Sequence, residues 1–154
     1  MNKKISIVTP VYNEESNIKI FLDRLLLTLK KIDTDYEIIF VLDPSSDNTE
    51  KTLMRLIKDD KKIKLITLSR RFGQPAATLA GINNANFENI VFIDVDLQDP
   101  PELISEMYEY TKQGYQTVLA RRNKKKGENF FRNFFSKVGY YLIEKLSETN
   151  IPKH

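Results

Sequence analysis

A chain of 154 residues, 41% hydrophobic and 29% charged, has the length and balance of one globular domain and not of a disordered or fibrous chain. It contains no cysteine, which excludes disulfides and thiolate metal sites, and its single histidine is the last residue, His154, which argues against histidine acid–base chemistry. The net charge of +3 is uneven: Arg121 to Lys145 holds eight basic and two acidic residues, so that segment carries +6 and the remainder −3. A basic C-terminal third on a mildly acidic body calls for an anionic partner, phosphate or an anionic membrane surface. Nucleic acid is not expected, because no binding motif for it accompanies the charge.

Ile5 to Thr9 reads as a buried first strand ended by Pro10. Ile18, Phe21, Leu22, Leu25, Leu26 and Leu29 recur at helical spacing, with Ser16 or Asn17 as cap and an end near Lys31. Tyr36 to Leu42 is nearly all apolar, as a strand covered on both faces should be. After the turn Asp43 to Asn48, Ser46 or Asp47 can cap a helix carrying Leu53, Leu56 and Ile57. Ile63 to Leu68 is a third strand, followed by an alanine-containing helix that ends near Asn83 and Asn84. Asn89 to Ile93 is a fourth strand, and Pro100-Pro101 opens a helix that Gly114 closes. Thr117 to Ala120 is expected as a fifth strand, and Phe130 to Leu142 as a last, amphipathic helix behind a basic loop, together spanning 121–146. No apolar stretch approaches the roughly 18 residues of a membrane span. Strands alternating with helices imply one α/β domain over 1–154, a mostly parallel sheet with helices on both faces.

In such folds ligands gather beyond the carboxyl ends of the strands, where four polar clusters fall: 10–14, 43–48, 69–74 and 94–99. Asp94-Val95-Asp96-Leu97-Gln98 is the sharpest. If the chain leaves the strand extended, Asp94, Asp96 and Gln98 converge on one hard cation, Mg²⁺ or Mn²⁺, whose shell water and phosphate complete. Otherwise the two acids are solvated loop residues or caps. Asp43, at a strand end, can accept from a nucleobase N–H, whereas Asp47 suits an Asx-turn or cap. Tyr12 either packs on a base or sits half-buried; Glu14 either caps the first helix or meets base or ribose. Arg70 and Arg71 face phosphate or form a solvated turn. Arg132 and Ser136, at i and i+4, could hold a phosphate with Arg121 or Arg122 nearby.

Val8-Thr9-Pro10-Val11-Tyr12-Asn13-Glu14-Glu15, Asp43-Pro44-Ser45-Ser46-Asp47-Asn48-Thr49, Phe72-Gly73-Gln74-Pro75-Ala76-Ala77 and Asp94 to Glu102 follow one another in an order that resembles family 2 glycosyltransferases of the GT-A fold. The nearest branch is similar to polyprenyl-phosphate sugar transferases such as dolichol-phosphate mannosyltransferase, over nearly the whole chain. The resemblance implies that Pro10, Tyr12, Glu14, Asp43 and Asp94 hold the nucleoside diphosphate. It implies that Asp94, Asp96 and Gln98 meet the metal, the aspartates being the catalytic pair, and that Arg121, Arg132 and Ser136 hold a lipid acceptor's phosphate. The expected reaction moves a sugar from a UDP- or GDP-linked donor, with inversion, to polyprenyl phosphate or to a glycan hydroxyl in cell-envelope synthesis. A cytoplasmic protein, at the membrane's cytoplasmic face when full-length and able to form a homodimer, is the matching expectation.

Two departures stand out. The family's Asp-Asp-Gly-Ser is here Leu42-Asp43-Pro44-Ser45, with one carboxylate lost and a proline fixing φ near −65°, which bears on nucleobase identity. The family also continues into an acidic Thr-Gly-Asp-Phe-Arg-type stretch and often into transmembrane helices, whereas this chain stops at Asn150 to His154; a piece of a longer protein is expected. Competing readings fare worse. A haloacid-dehalogenase phosphotransferase needs its D-x-D after the first strand, and G-x-G-x-x-G and G-x-x-x-x-G-K-[ST] are absent. A non-catalytic domain docking through its basic helix is the remaining alternative.

Overall fold

The computed structural model describes residues 4–121. Residues 1–120 form one compact unit and Arg121 begins a second. The helix expected over 130–142, with Arg122, Arg132 and Ser136, lies outside the described residues.

Four strands, β1 (Ile5–Val11), β2 (Tyr36–Leu42), β3 (Ile63–Thr67) and β4 (Asn89–Phe92), alternate with four helices, α1 (Ile18–Ile32), α2 (Thr49–Asp59), α3 (Gln74–Asn83) and α4 (Leu103–Lys112). The sheet order is β3-β2-β1-β4, and every pairing is parallel. Residues of alternate parity face opposite layers. Ile5, Ile7, Val11, Ile38, Phe40 and Leu42 pack with Phe21, Leu25, Leu53 and Ile104 from α1, α2 and α4. Val8, Ile39 and Val41 meet Ala77 of α3 on the other face. Phe21, Leu25, Phe40 and Leu53 are almost wholly buried, each stabilising the fold by about 1.5–3 kcal/mol.

On its own face α3 packs on β1 and β2. The close approach is set by Gly81, where a Cβ would stand 2.3 Å from Val8 Cγ1 and 3.0 Å from Val41 Cγ2. That contact fixes how deep α3 sits, and so where its N-terminus meets the carboxyl edge of the sheet.

The sequence reading needs two corrections in the strands. Pro10 does not end β1, which runs on to Val11 in register with Leu42. Val11 accepts from Asp43 N–H on the β2 side, so Pro10 turns its nitrogen to the β4 side, where pairing stops at Val8 and Phe92. The missing N–H therefore breaks no ladder bond. Thr117 to Ala120 is not a strand, and Leu119 is 85% exposed. Among the described residues no strand pairs with the outer edge of β4, and Ile90 and Phe92 are exposed.

Helix ends differ in detail. Asn17 is the cap position of α1, but its side chain makes no capping bond; its amide donates to Glu14 Oε2 at 2.7 Å instead. α4 begins at Leu103, two residues beyond the proline pair, because Leu103 and Ile104 N–H reach back to Pro100 and Pro101 in short turns. Gly114, at φ 98°, turns the chain out just past α4. Among the described residues no helix is long and apolar enough to cross a membrane.

Candidate functional site

The carboxyl ends of β1, β2 and β4 open on one cleft of about 220 Å³. Its wall includes Pro10, Tyr12 and Glu14 after β1, Asp43 after β2, and Asp94 and Asp96 after β4. Six residues from three separate motifs thus share one rim. A larger hollow of about 740 Å³ runs beside β4 and α4; it is mostly apolar, and Glu88, Asp94 and Asp99 bring acid to it. The smaller cleft gathers the candidate residues from the three motifs.

The loops that build this rim are laced to each other. Asn13 N–H donates to Ser45 Oγ at 3.0 Å, and Ser46 N–H returns a bond to Asn13 Oδ1 at 2.9 Å. Glu14 N–H donates to Thr49 Oγ1, Glu15 N–H to Asp47 Oδ2, and Asn48 N–H to Glu15 Oε2. Asn13 sits at φ 55°, a conformation that asparagine tolerates better than most residues. Asp47 also accepts Thr49 N–H at 3.0 Å, the Asx-turn expected of it. Burial pushes its carboxyl up, but the Thr49 hydroxyl and backbone donors outweigh this and hold it below the usual range. Glu15 and Asp47 are therefore spent on scaffold, which leaves Glu14 and Asp43 as the acids of this loop pair that reach the cleft.

Asp43 is buried, 3% exposed. Its two oxygens accept Phe72 N–H at 3.1 Å and Gly73 N–H at 2.9 Å. The residue expected to meet a nucleobase thus also anchors the β3–α3 loop; a carboxylate's remaining lone pairs still allow a further donor. Tyr12 is 36% exposed, and Arg71 Cζ lies 4.0 Å from its ring centroid. Arg70 stacks on Phe72 in the same way at 4.7 Å. Both arginines lie over aromatic rings, an arrangement of cation and ring face that is favourable in itself.

Asp94 and Asp96 flank the buried Val95, which keys this loop into the core. The exit from β4 is not extended as anticipated: Leu97 stands at φ 62°, which costs a non-glycine residue about 1 kcal/mol. The turn brings Gln98 N–H to Asp96 Oδ1 at 2.9 Å, and Gln98 is exposed and not part of the cleft wall. Of the three alternating positions expected to meet a cation, Asp94 and Asp96 line the cleft and Gln98 does not. One further residue there was given no role from the motifs. Gln74, the first residue of α3, lines the cleft and places Nε2 at 2.8 and 3.0 Å from the two Asp94 oxygens.

Among the described residues no three acidic or histidine side chains gather tightly enough to cage a metal by themselves. Two carboxylates at an open rim fit a small hard cation that completes its shell with water and ligand phosphate. Arg121, assigned to an acceptor phosphate, is exposed.

The model of glycosyl transferase family 2 matches residues 6–153. The chain belongs to glycosyl transferase family 2. An uncharacterized glycosyltransferase of Synechocystis sp. is 41% identical over 152 residues, 99% of this chain and 48% of its own length. The undecaprenyl-phosphate 4-deoxy-4-formamido-L-arabinose transferase of Photorhabdus laumondii is 38% identical, covering 93% of this chain and 44% of that protein. This family 2 chain thus spans about half the length of the curated relatives it matches. Among solved structures, the mannosyltransferase PcManGT of Pyrobaculum calidifontis, in complex with GDP-Man and Mn²⁺, superposes with a TM-score of 0.55 at 23% identity, over 62% of this chain and 28% of that one. The fold is GT-A.

Proposed function

We propose that the protein to which this chain belongs is an inverting glycosyltransferase that moves a sugar from a UDP- or GDP-linked donor to polyprenyl phosphate. The observation that carries this reading is the meeting of Pro10, Tyr12, Glu14, Asp43, Asp94 and Asp96 on one 220 Å³ cleft. Family membership supports the reaction class. The Photorhabdus relative, named for undecaprenyl phosphate, supports the acceptor class, and the fold neighbour held with GDP-Man and Mn²⁺ supports a nucleotide donor and a divalent cation.

In this reading Tyr12, Pro10, Glu14 and Asp43 receive the nucleoside, and Asp94 and Asp96 hold Mg²⁺ or Mn²⁺ against the donor diphosphate. The cation, when bound, offsets charge growing on the leaving phosphate. An acceptor phosphate oxygen forms the bond to the anomeric carbon as that carbon's bond to the diphosphate oxygen breaks, and the nucleoside diphosphate leaves with the bonding pair. A phosphomonoester's second pKa is about 6, so the attacking oxygen needs no protein base at neutral pH. Arg121 is assigned to the acceptor phosphate together with Arg132 and Ser136, which lie outside the described residues.

Isothermal titration of the chain with UDP and GDP, with and without Mn²⁺, tests the reading. At least one nucleotide should bind in a Mn²⁺-dependent manner, and Asp96→Ala should abolish that dependence. Absence of binding by both nucleotides with Mn²⁺ present would overturn it.

A further inference from the structure

The strands that present Asp43 and Asp94 are not neighbours. β2 and β4 flank β1, yet a short piece of chain joins their ends. Asp43 is immobilised at the end of β2, its own N–H bonded to Val11 O and its carboxylate nearly buried. It grips Phe72 and Gly73 by their N–H groups. Gly73, at φ 85° and ψ 167°, then turns the chain into α3, so that Gln74 faces β4 and its amide meets both oxygens of Asp94. The amide nitrogen must be the atom presented, because the amide oxygen would oppose a carboxylate.

We propose that Gln74 is a positioning residue for the metal site: it sets the rotamer of the Asp94 carboxylate, and the Asp43–Phe72–Gly73 anchor sets Gln74. This rests on the reading of Asp94 as a cation ligand. Gln74 is exposed and Asp94 partly so, so the bond adds little to stability. Its effect is geometric. A carboxylate on a loop that turns through a left-handed leucine can rotate about χ1 and χ2, whereas one held at both oxygens keeps its orientation at the cleft before any cation arrives. Asp96 is held at Oδ1 alone, by Gln98 N–H, so each acid is oriented by an N–H group of the protein. Donors in that position typically change metal affinity by about 10–100-fold when removed.

The test measures free Mn²⁺ by electron paramagnetic resonance in the presence of UDP or GDP, for the unaltered chain, Gln74→Met, Asp94→Asn and the double variant. Gln74→Met keeps the side chain's length and loses the donor. It should weaken Mn²⁺ by about tenfold or more, leave the thermal midpoint and metal-free nucleotide affinity unchanged, and add nothing in the Asp94→Asn background. Unchanged Mn²⁺ affinity, or an equal loss in the Asp94→Asn background, overturns the proposal; so does an equal loss of metal-free nucleotide binding, which would make Gln74 a nucleotide contact. If the unaltered chain binds no Mn²⁺ with either nucleotide, the function reading fails by itself. The brace is then judged without ligands, by the side-chain amide proton resonances of Gln74. They should move in Asp94→Asn and stay put in Asp96→Asn; no movement in Asp94→Asn overturns it.

Discussion

The two ends of the sheet each gather carboxylates, and they treat them in opposite ways. At the amino edge Glu37, on β2, has a side chain only 5% exposed and is saturated by protein. It accepts Ser6 Oγ at 2.6 Å, Lys64 Nζ at 2.5 Å, and Asn86 N–H and Nδ2 at 2.6 and 2.8 Å. Ser6 Oγ in turn accepts Phe87 N–H, so one carboxylate ties β1, β2, β3 and the approach to β4. At the carboxyl edge Asp94 and Asp96 border an open cleft and take their donors from Gln74 and Gln98. A buried acid with all its lone pairs met by the protein is a fastener. An acid at the wall of an open cleft is placed where charge brought by a ligand can meet it.

The difference can be broken at either end. Glu37→Ala should cost about 3 kcal/mol, since it strands Lys64, Ser6 and Asn86 without their acceptor; denaturant unfolding measures it, and a loss below about 1 kcal/mol would contradict the fastener role. The same group gives a pH signature. Burial raises the Glu37 carboxyl, but Lys64, Ser6 and Asn86 outweigh it and hold it below its ordinary value. With a folded pKa beneath the unfolded one, its contribution is complete at neutral pH and above about pH 5, and declines as pH falls through the ordinary carboxylate range. In Glu37→Gln that part of the acid slope should flatten.

Gly81→Ala comes next, at about 2 kcal/mol, because its Cβ would overlap Val8 and Val41. Pushing α3 outward should also withdraw Gln74 from Asp94, so a fall in Mn²⁺-dependent binding should accompany the loss of stability. Gly73→Ala should cost about 1 kcal/mol. Its Cβ meets only Pro75 Cδ at 3.9 Å, so the penalty is the positive φ and not a clash. Asp96→Asn should be the mildest for folding, within about 0.5 kcal/mol, while removing metal-dependent nucleotide binding. A large destabilisation there would move Asp96 to the fastener class and weaken the contrast between the edges.

Much of this was legible in the residues. Apolar runs at Ile5, Tyr36, Ile63 and Asn89 separated by 3.6-period segments yield β1 to β4 and α1 to α4, because strand and helix periodicities are local. The cleft was legible too, since motifs that follow successive parallel strands must share one edge. Thr117 to Ala120 was misread because a short β-rich run becomes a strand only against a partner edge. Pro10 was misread because its tolerance depends on which neighbour its nitrogen faces.

Sequence by itself determined the parallel α/β order, the six cleft residues from three motifs and the family, since each rests on patterns only a few residues long. Tertiary structure alone decided that Leu97 turns Gln98 away, that Asp43 holds the loop before α3, and that Gln74 meets Asp94 across twenty positions of chain. Those outcomes depend on where separate segments come to rest, and a neutral amide carries no charge or spacing that would announce its partner beforehand.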